Sequence, residues 1–108
     1  MKKLLAWRFE SELSLARMLM EVNRQGPWRW VERDGERWGD YMSTRGLLKP
    51  DYAIVKVVFD DGYFFALATF ESSRPDAQAR WEELHRTLLS VILPAIGARD
   101  VEPTDWLE

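Results

Sequence analysis

The sequence contains no cysteine and only one histidine among its 108 residues. Without cysteine the chain has neither a disulfide framework nor a thiolate metal site. A single histidine leaves only carboxylates as further metal ligands, and the spacing of an Asp-rich calcium loop is missing. We therefore expect no metal and no cofactor. A cysteine-free chain also fits a reducing compartment, and we predict a cytoplasmic location.

The motifs of the common enzyme classes are missing as well. The sequence has no Gly-x-x-x-x-Gly-Lys-Ser/Thr or Gly-x-Gly-x-x-Gly phosphate cradle and no Gly-x-Ser-x-Gly elbow. A nucleophilic triad would need a histidine beside a serine or cysteine and an orienting acid. His85 lies in the middle of a predicted helix beside its core stripe, so we interpret it as a structural or surface residue. We expect no catalytic residues, and we favour a binding role over catalysis.

Long apolar runs and an excess of positive charge are also absent. No apolar stretch approaches the ~20 residues of a membrane span, and the run that follows Lys3 stops at Arg8, too early for a signal peptide. Against 15 Lys and Arg stand 18 Asp and Glu, which gives a formal net charge of −3. Nucleic-acid binding usually needs a basic field. We therefore expect neither a membrane nor a nucleic acid as partner, and the mild acidity weakly favours a basic one.

What is present is an ordinary globular composition, with 46% hydrophobic and 31% charged residues. The length is close to the commonest domain size. We predict a single domain over residues 1–108.

The N-terminal segment allows two interpretations. Residues 3–9 alternate with Leu5, Trp7 and Phe9 on one side, which indicates a short strand. A single long helix would also fit, through Leu5, Phe9, Leu13, Ala16 and Met20. We favour strand then helix, because Ser11 is a good N-cap where the pattern changes. The helix should run over residues 12–24, end at Gly26-Pro27, and bury Leu15, Met18, Leu19 and Val22.

Two hairpins are predicted, separated by a linker over residues 46–50. A type I′ turn at Asp34-Gly35 places four pairs opposite each other: Glu32 with Arg37, Arg29 with Asp40, Trp28 with Tyr41, and Trp30 with Gly39. A second turn at Asp61-Gly62 gives one wholly apolar face: Ala53, Val55, Val57, Phe59, Phe64, Ala66, Ala68 and Phe70. We expect positive φ at Gly35 and Gly62.

The last helix begins near Ser73 and has the clearest periodicity in the chain. Its stripe consists of Ala77, Trp81, Leu84, Leu88, Val91 and Ala95. Pro94 should kink or end it. The acidic tail that follows is expected to dock through Trp106. The predicted fold class is α+β, an antiparallel sheet of four to five strands with two helices mainly on one face, in the order β-α-β-β-β-β-α.

Six tryptophans are the unusual feature of the composition. Trp7 and Trp81 lie on predicted core stripes. The first hairpin carries a further aromatic group: Trp28, Trp30, Trp38 and Tyr41. Such residues are enriched at interfaces and can stack on small ligands or bases, although covering the sheet as ordinary core would also account for them.

The sheet face away from the helices carries a second apolar group: Ile54, Val58, Phe65 and Leu67. Lys56 in its midst indicates that this face is not dry core. The tail alone is too short to hide the patch, so we predict that the face binds a protein, most simply a second copy through a two-fold contact.

The sequence thus predicts a non-enzymatic protein-binding module, comparable in composition with immunity proteins, antitoxins and adaptors. The predicted partner-binding residues are Trp28, Trp30, Tyr41, Ile54, Val58, Phe65 and Leu67. The alternative is a small-ligand-binding protein or enzyme with a pocket between sheet and helices.

Overall fold

A computed structural model of the chain describes residues 1–45, 47 and 51–106. One antiparallel sheet of six strands carries the helices on one face, which confirms the α+β class. Its strands lie in the order β2-β3-β4-β5-β1-β6. Their bounds are β1 Lys2–Glu10, β2 Trp30–Gly35, β3 Gly39–Thr44, β4 Tyr52–Asp60, β5 Tyr63–Glu71 and β6 Arg99–Thr104. The sixth strand, absent from the prediction, is formed by the tail and pairs with β1.

The N-terminal segment is a strand, so the long-helix interpretation is wrong. β1 lies between β5 and β6, and its side chains Trp7 and Phe9 are buried. Helix α1 spans Leu15–Gln25, and its N-cap is Ser14, whose hydroxyl accepts a hydrogen bond from the Arg17 N–H at 3.2 Å. Ser11, the expected cap, instead donates to the Ile96 carbonyl at 2.6 Å. It therefore ties the β1–α1 loop to the C-terminal helical region.

The C-terminal helical region contains an unexpected π-helical turn. α2 (Ala77–Thr87) continues through the π-turn Leu88–Ile92 into α3 (Leu93–Ala95). The N–H of Leu93 donates to the carbonyl of Leu88, a five-residue step. A π-turn holds one residue more than an α-turn, so the buried stripe moves on by one position. Ile92 and Ile96 are buried where Val91 and Ala95 were expected.

The main core fills the space between the sheet and the helices. All three tryptophans in it, Trp7, Trp30 and Trp81, are at most 6% exposed. The aromatic ring of Phe70 lies 5.9 Å from that of Trp81. The other main contributors are Phe9, Met18, Val22, Met42, Val55, Val57, Leu84, Leu88, Ile92 and Ile96. The apolar face predicted for the second hairpin therefore does lie against the helices, except at Phe59, which is 50% exposed.

The second hairpin has the predicted register, with Val57 opposite Ala66 and Phe59 opposite Phe64. Gly62 has a φ of +85° as expected. Of the predicted linker the structure describes only Leu47. The rest of that linker, like residues 107 and 108 of the tail, lies outside the described residues.

The predicted register of the first hairpin is wrong. Its loop has three residues, 36–38, and Gly35 lies opposite Gly39. The glycine with positive φ is Gly39, at +67°, and not Gly35. Because the loop is one residue longer than predicted, every side chain of β3 changes face. Met42 therefore joins Trp30 in the main core, and Tyr41 points to the other side of the sheet.

No helix within the described part of the chain is both long and apolar enough to cross a membrane.

Candidate partner-binding face

The face of the sheet turned away from the helices, here called the second face, carries a small apolar cluster of its own. Ala6, Val58, Phe65 and Leu67 are buried there, contributed by β1, β4 and β5. The register explains the clustering, because Phe65 lies opposite Val58, and Leu67 lies opposite Ala6. Three of these four were predicted to meet on this face.

The cluster is not an exposed patch, which corrects the expectation for Val58, Phe65 and Leu67. Trp38, Tyr41 and Trp106 pack against it. These aromatic groups come from the β2–β3 loop, from β3 and from the segment after β6. The tail docks through Trp106 as predicted. The cluster is more fully covered than the tail alone would allow, because the observed register also places Trp38 and Tyr41 over it.

Trp38 is held over the cluster by packing alone. Its ring meets the Tyr41 ring edge-on at 5.8 Å, and the Arg37 guanidinium lies 5.1 Å above it. Its indole N–H is buried, and among the described residues no acceptor reaches it. Leaving a buried donor unpaired costs roughly 1–3 kcal/mol. The same holds for the indole N–H of Trp30 in the main core.

Beside the covered cluster lies an uncovered strip of side chains that we call the open row: Leu4, Tyr52, Ile54 and Thr69. Thr69 of β5 lies opposite Ile54 on one side and opposite Leu4 on the other, so the row crosses three adjacent strands. Leu4 is 46% exposed and Tyr52 is 59% exposed, whereas Ile54 and Thr69 are half-buried. The open row therefore presents apolar surface to solvent in the middle of a sheet.

One side of the open row is basic. Lys56 lies opposite Ser43, and the Arg33 Nε donates to the Ser43 hydroxyl at 3.3 Å. The Lys56 ammonium lies 5.8 Å from the centre of the Tyr41 ring. Arg45 follows directly after β3. None of these three cations forms an ion pair with another described residue.

A cleft opens where β3 and β4 diverge. The two strands pair at only two positions, Met42 with Val57 and Ser43 with Lys56. Beyond them the Thr44 hydroxyl accepts the Val55 N–H at 2.9 Å, in place of a backbone carbonyl. The resulting cleft has a volume of about 280 Å³, and Arg33, Arg45, Tyr52 and Ile54 are among the residues that line it.

Asp51 lies at the base of this cleft but is already neutralised. Its carboxylate accepts a hydrogen bond from the Ser72 hydroxyl at 2.6 Å and another from the Arg80 guanidinium. The Ser72 hydrogen bond and the Arg80 charge lower the pKa of this carboxyl, against the effect of burial, which raises it. Asp51 therefore stays ionised at neutral pH and joins the start of β4 to α2. It is an anchor, and its charge does not offset the basic rim.

The structure separates the remaining predicted partner-binding residues. Trp30 is core, and its backbone N–H and carbonyl are both hydrogen-bonded by the Asn23 side-chain amide. Trp28 is half-buried beside it, with ring centres 6.3 Å apart. Tyr41 belongs to the second face. The predicted pairs of Trp28 with Tyr41 and of Arg29 with Asp40 do not form.

Sequence reasoning missed Leu4, Trp38 and Trp106 as parts of this face. Leu4 was missed because strand order was unknown, although the same alternation that assigns Trp7 and Phe9 to the core assigns Leu4 and Ala6 to the opposite side. Trp38 was missed because the hairpin turn was placed two residues too early. Trp106 also carried a signal, as a tryptophan in a polar tail that was expected to dock.

His85 lies between two tryptophan rings. Its ring centre is 5.3 Å from that of Trp7 and 5.5 Å from that of Trp81. Such stacking explains the residue as part of the packing under α2. In the part of the chain that the structure describes, no group of three or more His, Asp or Glu side chains is arranged to hold a metal ion.

Comparison with known proteins gives no match: no family model fits the chain, and neither a curated protein nor a solved structure is similar to it. The fold and the second face are therefore interpreted from their own geometry.

Proposed function

We propose that this chain is a non-enzymatic protein-binding module, of the adaptor, antitoxin or immunity-protein kind, that contacts its partner through the open row of the second face. The observation that carries the proposal is the exposure of Leu4 and Tyr52 beside the half-buried Ile54, on three adjacent strands of one sheet. Contiguous apolar surface of this kind commonly marks an interface.

The surroundings of the open row support the same proposal. Interface centres are apolar and aromatic with a polar rim. Here Tyr52 and Trp106 supply the aromatic groups, while Arg33 and Lys56 supply the rim. A rigid sheet also presents such side chains with little loss of conformational entropy on binding. The cytoplasmic location expected from the sequence stays a prediction.

The alternative, a small-ligand pocket between sheet and helices, has weaker support. A cavity between α1 and the first hairpin, against Leu15, Leu19 and Met42, measures about 130 Å³. Larger clefts of about 420 and 510 Å³ border α1 and the segment after it. Pockets for drug-sized ligands usually measure roughly 300–1,000 Å³. Main-core side chains fill the rest of the layer that the structure describes.

A pair of matched substitutions tests the proposed function. Leu4→Glu places a charge in the open row, whereas Leu89→Glu places the same charge on the helical side, at a leucine 38% exposed. Each variant is immobilised, exposed to an extract of the encoding organism, and compared by quantitative mass spectrometry. We expect a protein retained by the wild type and by Leu89→Glu to be lost with Leu4→Glu, with unchanged circular dichroism. Equal retention by all three would show that the open row is not the interface.

A further inference from the structure

The sheet sorts the charges of the first hairpin by face. Glu32, Asp34 and Asp40 lie on the side of Met42 and the helices, because Glu32 is opposite Met42 and Asp34 is opposite Asp40. Arg33 lies opposite Tyr41, on the second face. Alternation along a strand thus places these three acidic residues of the first hairpin away from the second face and leaves Arg33 on it. The local charge is the reverse of the net charge of −3.

Three cations of this region have no ion-pair partner within the described part of the chain. Arg33, Arg45 and Lys56 form no ion pair with another described residue. On the same face, Asp60 lies at the opposite end of β4 from the cleft, and Glu71 of β5 lies between Tyr52 and Lys2. Asp51 is occupied by Ser72 and Arg80. Arg33 and Arg45 in the lining of the cleft, and the half-buried Lys56 further along β4, therefore carry three positive charges that no ion pair between described residues neutralises.

We infer that the partner of the open row is an acidic protein segment. Its carboxylates would bind between Arg33, Arg45 and Lys56, and an apolar side chain next to them would lie on Tyr52, Ile54 and Leu4. The inference rests on the proposed function, since it names the chemistry of the partner at the same face. A guanidinium binds a carboxylate with two parallel hydrogen bonds, and the cleft of about 280 Å³ has the size for one side chain.

Two other occupants fit this face less well. A nucleic acid would meet apolar side chains at Leu4 and Ile54, and the net charge of −3 opposes its approach. If two copies packed face to face, the basic side of one copy would meet either the basic side or the β1–β6 side of the other copy. There Lys2 lies opposite Glu71 and Arg8 pairs with Glu102 at 2.8 Å, so part of the negative charge on that side is already balanced within the chain.

The test uses defined probes on the full chain. Three labelled probes are titrated and followed by fluorescence anisotropy: a decapeptide alternating glutamate with leucine and tyrosine, the same peptide with lysine for glutamate, and a single-stranded oligonucleotide. We expect the glutamate peptide to bind most tightly and its affinity to fall as sodium chloride is raised, because salt screens exposed charges. Tighter binding of the lysine peptide or of the oligonucleotide would overturn the inference.

Charge-reversal variants locate the binding. Arg33→Glu should weaken the glutamate peptide by about tenfold or more, since a repulsive contact replaces an attractive one. Arg45→Glu serves as the second variant and should act in the same direction, since the exposed Arg45 side chain forms no hydrogen bond or ion pair with another described residue. The control is Arg86→Glu, an exposed arginine on α2 that should leave binding unchanged. Equal affinity of all four proteins would overturn the inference.

Failure of the inference and failure of the proposed function give different results. If Leu4→Glu abolishes capture of the native partner while Arg33→Glu and Arg45→Glu have no effect, the face binds a protein but not through carboxylates. If Leu4→Glu also has no effect, the open row is not an interface, and both ideas are wrong. Concentration-dependent sedimentation of the wild type, abolished by Leu4→Glu, would identify a second copy as the occupant and would overturn the acidic partner.

Discussion

The two faces of this sheet are buried by different means. The face toward the helices is covered by α1 and by the continuous region from α2 to α3, and these elements bury Phe9, Phe70 and Ile92 completely. The second face is covered only by side chains, from a loop, a strand and the end of the described chain. Helices cover a sheet continuously, whereas single aromatic side chains leave gaps between them. The open row lies in such a gap.

The largest expected effect is a loss of stability on removing a buried ring. Its size should differ between the two faces, because they differ in how far the neighbouring side chains can fill the space that is left. Phe70→Ala removes a wholly buried ring beneath Trp81, and should lower the free energy of unfolding by about 4 kcal/mol, in the range for buried phenylalanines. Phe65→Ala on the second face should cost less, about 3 kcal/mol or below, because Trp38 and Trp106 can settle into the space. Chemical denaturation measures both. An equal or larger cost at Phe65 would show that the second face is packed as rigidly as the main core.

A smaller effect concerns the pH dependence of the anchor under the cleft. The pKa of the Asp51 carboxyl is lower in the folded than in the unfolded chain. Its contribution to stability is therefore fully present above the ordinary value of 3.8 and is lost as the pH falls below that value. Asp51→Asn removes the titrating group, so its stability should lie below that of the wild type at pH 7.

The measurement for Asp51 is the difference in unfolding free energy between wild type and Asp51→Asn across the acid range. We expect the difference to narrow steadily once the pH falls below 3.8. Asp76→Asn is the control, because Asp76 is exposed and its one ion pair within the described part of the chain is with Arg74 on the surface. The stability difference for this variant should therefore stay small at every pH. A difference for Asp51→Asn that does not depend on pH would contradict the anchor as described.

The sequence predicts the packing of one face better than that of the other. The main core follows from periodicity, since Leu84 of α2, Leu88 of the π-turn and alternate residues of β4 and β5 reach it as expected. The buried residues that differ from the prediction do so because one extra residue is present in the π-turn and one in the loop before Gly39. Local sequence patterns do not specify either of these extra residues. The second face depends on strand order and on where the chain end docks, and both are set by long-range contacts.

The smallest expected effect tests what holds the aromatic cover in place. Trp38→Phe keeps most of the ring area over the cluster and removes an indole N–H that has no acceptor among the described residues. Removing an unpaired donor offsets part of the lost area, so the free energy of unfolding should change by no more than about 0.5 kcal/mol. Trp38→Ala, which uncovers the cluster, should instead cost about 2 kcal/mol, as expected for losing a large buried apolar side chain. Binding of the dye ANS should rise for the alanine variant alone, because only that variant exposes Val58 and Phe65.

If Trp38→Phe were as destabilising as Trp38→Ala, the indole N–H of Trp38 would be making a hydrogen bond that stabilises the loop. The cover would then be a fixed part of the fold, as specific as the helices on the other face.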